Sequence, residues 1–207
     1  GSVPTERFGV VCDVISDLEA VKVGENASDK PYADFDTIPF PSSELGKRLR
    51  DSAVLYNHIA PSSSAIVKKR FAALRPGQNF HDLAPSLKET YSDAERTQNT
   101  IYLRLRYDQP SGTVVNVRKS MWIHPVLHRG ISVREAARLQ TFPDSFVFLG
   151  LKNSQYQQVG NAVPPVLAEA IAMHLASILD TAKTEDIPVA GVACALESVG
   201  KGDIRSR

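Results

Sequence analysis

The sequence has few of the residues that stabilise small proteins through covalent or metal cross-links. Only two cysteines occur in 207 residues, Cys12 and Cys194, and neither has partner ligands at zinc-binding spacing. We therefore expect no disulfide framework and no metal site, and we interpret the five histidines as structural. The formal net charge is only +1, so a surface for a polyanion would have to come from local clustering of charge.

Long apolar runs and targeting signals are also missing. The apolar stretches fall short of the roughly 20 residues that span a bilayer, and the N-terminus has no charged-then-apolar secretory pattern. We therefore expect a protein that is neither secreted nor membrane-bound, cytoplasmic in a bacterium or nuclear in a eukaryote. The hydrophobic and charged fractions, 43% and 23%, are typical of a folded globular chain and argue against disorder throughout.

Serine and proline residues mark the starts of four predicted helices. Ser43 and the run Ser62–Ser64 each precede a short segment with helical apolar spacing, and Ser132 with Glu135 has the Ser-x-x-Glu form of a capping box. Pro164-Pro165 opens the last predicted helix. That helix presents an apolar stripe made of Leu167, Ile171, Leu175 and Ile178.

Between residues 99 and 122 the pattern changes to that of β-strands. Residues 101–106 alternate apolar and polar side chains, and residues 113–117 form a second run after the turn residues Pro110-Ser111-Gly112. We predict a hairpin of two strands, in which the alternation places Arg104 and Arg106 on one face.

Basic and small side chains cluster around this predicted hairpin. The simplest interpretation is a solvated strand face. We favour a surface that contacts DNA, because arginine can read guanine with two hydrogen bonds and small residues allow close approach to phosphates. The predicted DNA-contacting residues are Arg104, Arg106, Ser111, Gly112, Thr113, Arg118 and Lys119.

Two segments in the C-terminal half are more specific than any compositional signal. The first runs from Arg129 to Asp144 and reads RGISVREAARLQTFPD, and the second runs from Gln155 to Pro165 and reads QYQQVGNAVPP. In this order and spacing they resemble the ninth and tenth conserved motifs of the cytosine-C5 DNA methyltransferase family. Upstream, residues 102–106 and 110–114 are similar to the end of the family's target-recognition region, including its Thr-Val dipeptide.

The resemblance implies roles for residues in both motifs. Asn161 and Val163 would contribute to the pocket for the methyl donor, S-adenosyl-L-methionine, and the simpler alternative is a helix entry at Gly160-Asn161 with no ligand. The helix that carries Arg134, Glu135 and Arg138 would hold the recognition region in position, with Arg134 and Glu135 partly buried and paired. A solvated helix face with local ion pairs is the simpler alternative there.

Several catalytic features of the family have no match. The family's nucleophile is the cysteine of a Pro-Cys dipeptide, whereas Cys12 follows Val11 and Cys194 follows Ala193. The glycine-rich loop that cradles the donor has no counterpart, and Glu25-Asn26 is followed by alanine in a polar connector rather than by the family's valine. We therefore predict that this chain has no catalytic residue and cannot methylate DNA by itself.

These patterns predict an α+β fold. A small mixed target-recognition lobe with a hairpin would be followed by helices that complete the Rossmann-like α/β methyltransferase catalytic domain. Residues 1–41 would connect the catalytic half to the recognition region at 42–130, the motif nine and ten helices would occupy 131–182, and 183–207 would be a flexible tail.

The function predicted from the resemblance is DNA target recognition and donor-site completion for a cytosine-C5 DNA methyltransferase. The expected partners are double-stranded DNA and an N-terminal catalytic half or large subunit. The chain could be the small subunit of a split enzyme or a piece of a single-chain enzyme. A non-catalytic DNA-binding or regulatory module is the main alternative, and a structural domain without a nucleic-acid role is a third.

Overall fold

The described part of the chain divides into two compact units. A computed structural model describes residues 9–24, 31, 33–93, 95–114 and 121–184, with side chains up to residue 180. The units are Gly1–Val166 and Leu167–Arg207. Glu25-Asn26, Arg118, Lys119, Cys194 and the predicted tail beyond residue 184 lie outside the described residues.

Helix α1 (Val11–Ile15) is short and continues into a 3-10 turn at Ser16–Leu18. The backbone N–H of Val10 donates to the Asp13 carboxylate at 2.8 Å, which satisfies a donor that would be left over at the helix start. The apolar face of this segment is buried and consists of Val11, Val14, Ile15 and Leu18.

Helix α2 (Glu44–Leu49) is fixed to the end of α1 by one hydroxyl. The Ser43 Oγ accepts from the backbone N–H of Gly46 at 2.9 Å and donates to the carbonyl of Asp13 at 2.6 Å. The predicted Ser43 cap is therefore confirmed, and its second hydrogen bond explains why the two helices pack closely.

Two short strands form a small antiparallel sheet. Strand β1 (Ala33–Asp34) pairs with β2 (Val54–Leu55), with Ala33 opposite Leu55. A 3-10 turn at Phe35–Thr37 follows β1. The sheet covers a small apolar cluster of Leu18, Phe35, Ile38 and Leu55.

Helix α3 (Ala65–Ala73) packs on a second apolar cluster. Phe71 and Leu74 contact the buried residues Phe80, Leu83, Tyr102 and Ile123. Ser64 is the N-cap residue, as the serine run predicted, but its side chain makes no capping hydrogen bond. Two 3-10 turns, Phe80–Asp82 and Pro85–Leu87, complete the wall of this cluster.

Residues 103–105 are hydrogen-bonded along both edges. On one edge Gly77 N–H donates to the carbonyl of Arg104 at 2.8 Å, and Arg104 N–H donates to the carbonyl of Gln78 at 2.9 Å. On the other edge Leu105 N–H donates to the carbonyl of Ile123 at 3.0 Å, in a parallel bridge between Arg104 and Ile123. The predicted hairpin is therefore wrong for the described residues, because 103–105 pair with 77–78 and 123 rather than with 113–114, and residues 115–117 lie outside the described part of the chain.

The C-terminal part of the chain is helical. Helix α4 (Val133–Leu139) begins at the predicted capping box, α5 covers Lys152–Asn161 and α6 covers Pro165–Thr184. Ala136 and Ala137 of α4 and Tyr156 and Val159 of α5 lie in the largest apolar cluster, together with Trp122. The two helices therefore share one apolar core.

The stripe on α6 is exposed in the described residues. Leu167, Ile171, Leu175 and Ile178 each have 50–54% of their side-chain area accessible. By length and composition alone, the stretch Lys152–Asp180 also passes the test for a membrane span, with a mean hydropathy of 1.6. The expectation that no stretch reaches this length is therefore not met.

A mixed fold of helices and a small sheet agrees with the predicted α+β class. The β content is smaller and more irregular than predicted, because the described sheet has two strands and the remaining pairings are isolated bridges. Helices α4 and α6 begin where Ser132 and Pro164-Pro165 predicted a start, whereas α5 was not predicted from the sequence.

We predict that Gly46→Ala destabilises the protein although alanine favours helices. A Cβ at this position would lie 2.4 Å from the carbonyl oxygen of Asp13 and 2.9 Å from Ser43 Oγ. The clash with a backbone oxygen outweighs the roughly 1 kcal/mol gained in helix propensity, so we expect a net loss of about 1–3 kcal/mol in urea unfolding. Gly112→Ala, whose Cβ would sit 3.9 Å from Trp122, is the control. A stabilised Gly46 variant would refute the close packing of α1 and α2.

Candidate DNA-recognition and donor-site elements

The start of α4 is a capping box with an additional arginine. Ser132 Oγ accepts from Glu135 N–H at 3.0 Å, and the Glu135 carboxylate accepts from Ser132 N–H at 2.7 Å. Arg129 donates to both oxygens of the same carboxylate, at 2.7 and 2.6 Å. Glu135 is fully buried, so its charge is stable there only because these donors surround it.

Burial and the arginine act in opposite directions on this carboxylate. Burial raises the pKa of Glu135, but the hydrogen bonds and positive charge of Arg129 outweigh it and lower the pKa to about 2. Neighbouring His124 is held neutral, since burial lowers its pKa to about 4 against the attraction of Glu135. Its Nδ1 accepts from the N–H groups of Val126 and Leu127 at 3.2 and 3.1 Å, which fixes the loop after Trp122.

Arg138 joins α4 to two distant segments. Its guanidinium donates to both oxygens of Asp144, at 3.0 and 2.6 Å, and to Oδ1 of Asp17 at 2.6 Å. A further bond reaches the carbonyl of Val14 in α1 at 2.9 Å. Arg138 and Asp144 are fully buried, and Asp17 is 7% exposed, so this is an internal ion network rather than a surface pair.

Arg134 holds the chain on both sides of α4. It donates to the carbonyls of Tyr56 and Phe146 at 3.0 and 2.7 Å, and it lies 3.6 Å from the carboxylate of Asp144. Burial lowers the pKa of Arg134 to about 10. The structure therefore shows Arg134 and Glu135 buried and paired, to a greater extent than the partial burial predicted, and it contradicts the alternative of a solvated helix face.

Asn57 and His58 complete this network and were missed in the sequence. Asn57 adopts a left-handed backbone, with φ of 61°, and donates to the carbonyl of Phe148 at 2.8 Å. The His58 ring lies 3.1 Å from Ser132 Oγ, in a fully buried position. The sequence did contain a signal for these two residues. Asn57 and His58 are polar and lie between the apolar residues Leu55 and Ile59, and polar groups in a buried segment need hydrogen-bond partners.

Arg104 is an internal residue and not a surface one. It is 2% exposed and donates to the carbonyls of Phe71, His124, Pro125 and Leu127. The prediction that Arg104 contacts DNA is therefore wrong for this fold. The pairing of residues 103–105 explains the error, because it directs the Arg104 side chain toward the carbonyls of loop 124–128 inside the protein.

Arg106 lies on the other side of the segment and is exposed. It forms a bidentate pair with Asp108, at 3.0 and 2.7 Å. The prediction that Arg104 and Arg106 share a face is wrong. The paired segment ends at residue 105 and the chain turns at Tyr107-Asp108, so the alternation of a strand does not continue to Arg106. Arg106 remains available at the surface, although an acidic partner now neutralises part of its charge.

The small residues of the predicted recognition segment lie at the surface. Gly112 and Thr113 are exposed and Ser111 is half-buried, whereas Val114 is buried in the main apolar cluster against Trp122. The Thr-Val dipeptide therefore has one side chain outward and one inward. This arrangement anchors the segment and leaves the Thr113 hydroxyl accessible.

The predicted donor-site residues lie at the junction of α5 and α6. Asn161 is the last residue of α5 and is exposed, and its Oδ1 accepts from Gln157 at 2.8 Å. Val163 is 62% exposed. The prediction that Asn161 caps the following helix is therefore wrong, because Asn161 belongs to the end of α5. Instead, the Thr141 hydroxyl accepts from the N–H of Val166 at the start of α6, at 3.2 Å.

A solved structure shows a similar fold. A protein described as a DNA modification methyltransferase encoded within an E. coli prophage superposes with a TM-score of 0.58, covering 83% of this chain and 47% of that chain at 24% identity. The chain therefore shares its fold with part of that protein.

The sequence comparisons establish the family. The model of C-5 cytosine-specific DNA methylases matches residues 25–177. The Type II methyltransferase M.DdeI of Desulfomicrobium norvegicum is 33% identical over 179 residues, or 79% of this chain and 41% of that protein. The DNA (cytosine-5)-methyltransferase 1A of Oryza sativa subsp. japonica is 34% identical over 84% of this chain and 13% of that protein. The chain belongs to the C-5 cytosine-specific DNA methylase family and spans less than half the length of these relatives.

We predict that Arg138→Leu strongly destabilises the fold. The change removes the cation that Asp144 and Asp17 share and leaves two carboxylates buried without it. We expect a loss of about 3–5 kcal/mol in urea unfolding. Arg106→Leu, which breaks an exposed pair, is the matched control and should unfold like the parent. Equal midpoints for the two variants would contradict the role of the network.

We predict that acid destabilises the protein through His124. The folded pKa is about 4, below the ordinary value near 6.5, so the unfolded chain binds a proton first and stability falls as pH decreases from about 6.5 to 4. The lowered pKa of His124 changes the free energy of unfolding by at most about 3 kcal/mol over this pH range. In His124→Asn the amide oxygen can accept the same loop N–H groups, so urea unfolding should lose less stability between these pH values.

The control for this experiment is His81→Asn, which replaces an exposed histidine. Some pH dependence should survive in His124→Asn, since burial also lowers the pKa of His58. A profile identical to that of the parent would show that His124 is not held neutral by the fold.

Proposed function

We propose that this chain supplies DNA target recognition and donor-site completion for a cytosine-C5 DNA methyltransferase. One observation supports this assignment above the others. The family match covers residues 25–177, including the recognition segment and both C-terminal motifs, yet the chain corresponds to only 41% of M.DdeI. In this proposal the matched part carries the recognition elements, and the part of the family that the chain does not match carries the nucleophile.

The reaction explains why a second component is needed. Transfer to C5 of cytosine requires the base to leave the helical stack, since neither C5 nor C6 is reachable within a duplex. A cysteine thiolate adds to C6, the methyl group is transferred to C5, and loss of the C5 proton with elimination of the cysteine restores the aromatic base. S-adenosyl-L-methionine supplies the methyl group when bound.

Neither cysteine of this chain suits the role of nucleophile. Cys12 lies in α1 between Val11 and Asp13, half-buried, and its backbone N–H donates to the carbonyl of Tyr107 at 3.1 Å. Neither Cys12 nor Cys194 follows a proline, as the nucleophile of the family's Pro-Cys dipeptide does. We therefore assign the nucleophile to an N-terminal catalytic half or large subunit, either a separate polypeptide or a preceding part of one chain.

Asn161 and Val163 suit one wall of a donor pocket. The first presents an exposed carboxamide and the second an exposed apolar side chain, two residues apart in the turn between α5 and α6. A methyl donor with an adenine ring and an amino-acid group would use both kinds of surface. In this proposal α5 and α6 complete the Rossmann-like catalytic domain from the side of the recognition region.

The recognition segment also combines a buried anchor with exposed small residues. Val114 is anchored in the core, whereas Thr113, Gly112 and Ser111 remain at the surface beside Trp122. Contacts from small donors to the DNA backbone fix the position of a protein on the duplex. Arg106 is the exposed arginine of this segment within the described residues, and Arg118 and Lys119 are further candidates from the sequence.

We predict that the purified chain transfers no methyl group to DNA by itself. With labelled S-adenosyl-L-methionine and duplex DNA, product should appear only after addition of a catalytic half that carries the Pro-Cys nucleophile. The fragment of M.DdeI that this chain does not match provides the first such half to test. A Cys12→Ala, Cys194→Ala variant should restore activity to that half equally well.

The outcomes separate the alternatives. Methyl transfer by the chain alone that is lost in the double cysteine variant would refute the assignment of the nucleophile. Selective binding of one DNA sequence, unaffected by the donor and by every catalytic half tested, would instead favour a non-catalytic DNA-binding module.

A further inference from the structure

The segment around α3 is free of acidic residues. Aspartate and glutamate account for 23 of 207 residues, about one in nine, yet residues 52–81 contain none. The same 30 positions contain Lys68, Lys69, Arg70 and Arg75. A chain whose net charge is only +1 therefore concentrates positive charge in this segment, and the structure shows where each cation points.

One of these cations holds the helix in place. Arg70 is buried and donates to the carbonyl of Leu87 at 2.7 Å, to Tyr102 Oη at 3.2 Å and to Thr90. Phe71, the next residue, lies in the apolar cluster with Tyr102. These contacts fix the rotation of α3 about its axis, so the opposite face is held outward.

The outward face of α3 is flat and basic. Ala65, Lys68, Lys69 and Ala72 are all exposed and follow the i, i+3, i+4, i+7 spacing of one helix face. Neither lysine has an ion-pair partner among the residues that the structure describes. The two alanines add no bulk beyond Cβ, so a ligand can approach the helix closely between the two charges.

The N-terminal end of the face adjoins a cavity of about 470 Å³. Ser62, Ser63 and Ser64 line it on the α3 side, and Trp122 and Gly130 line it on the other. Among the described residues the lining contains no charged side chain, and the partial positive charge of the helix start points toward the serines. The basic face therefore adjoins the part of the lobe that carries the recognition segment, since Trp122 shares the main apolar cluster with Val114 of that segment.

We infer that this α3 face, made of Ala65, Lys68, Lys69 and Ala72, binds the phosphate backbone of duplex DNA. The inference rests on the proposed function and deepens it. Arg104 is buried among internal partners and Arg106 is paired with Asp108, so the positive charge of this helix face comes from its two lysines. Lysine acts as a point charge toward phosphate rather than as a reader of base edges. The face therefore contributes affinity and orientation, not sequence preference.

The test is the salt dependence of DNA binding by the full chain. A labelled duplex is titrated between about 50 and 200 mM salt with the parent and with a Lys68→Gln, Lys69→Gln variant. Removing two phosphate contacts should reduce the slope of log affinity against log salt by about 2 and weaken binding at low salt at least roughly tenfold. Preference among duplex sequences should not change.

The matched control removes two cations from another helix. Lys47→Gln, Arg48→Gln changes two adjacent exposed residues of α2 and alters the net charge equally. Its salt slope should remain that of the parent. Ala72→Glu keeps both lysines and adds a carboxylate to the same face, so it should weaken binding as well. All these positions are exposed, and thermal unfolding checks that the variants are folded.

Each outcome has one interpretation. If the parent binds no duplex, the proposed function fails and this inference fails with it. If the parent binds and the α3 variants keep its affinity and slope, the inference alone is wrong and the backbone contacts lie elsewhere. Equal losses in the α2 and α3 double variants would show an effect of total charge, which would also overturn the α3 surface.

Discussion

The guanidinium of Arg138 is the point at which three parts of the fold meet. Asp144 lies after α4, Asp17 lies in the 3-10 turn after α1, and both carboxylates bond to this one side chain away from solvent. Taking these charges out of water costs several kcal/mol each, and only mutual pairing offsets that cost. Arg50 approaches Asp17 at 3.8 Å and continues the network toward β1. A cost of this size favours a single arrangement of the segments, because any displacement leaves a buried charge unpaired.

Arginine is used in the same way elsewhere in the molecule. Arg104 and Arg70 bond mostly to carbonyls and hydroxyls rather than to carboxylates, and each crosses between segments that are distant in sequence. Five donors in a planar fork can satisfy several loop carbonyls that a helix or sheet would otherwise satisfy. This explains how a lobe with so little regular sheet remains ordered. It also explains why a count of basic residues overestimates the positive charge at the surface.

The sequence predicted local elements better than pairings. The caps at Ser43 and Ser132 depend on neighbours within three residues, so their signals are complete in the sequence. The pairing of residues 103–105 with both 77–78 and 123 depends on chain segments about 20 or more residues away, which alternation alone cannot identify. The same limit explains the error at Arg104, because alternation shows neither which face is buried nor where the pairing ends. Family resemblance located α4 and its charged residues, whereas the partners of those residues emerged only from the structure.

The separation between framework and surface has a functional consequence. The residues of α4 that hold the lobe are buried and committed to internal partners, while Thr113 and the α3 lysines are exposed and bear little of the packing. Substitutions at exposed positions usually change stability by less than about 0.5 kcal/mol, whereas those in a buried ion network cost several. Residues of such an exposed surface can therefore be substituted without loss of the fold. Binding sites carried by loops on a rigid scaffold have the same property, and here the buried arginines provide the scaffold that a larger sheet would otherwise supply.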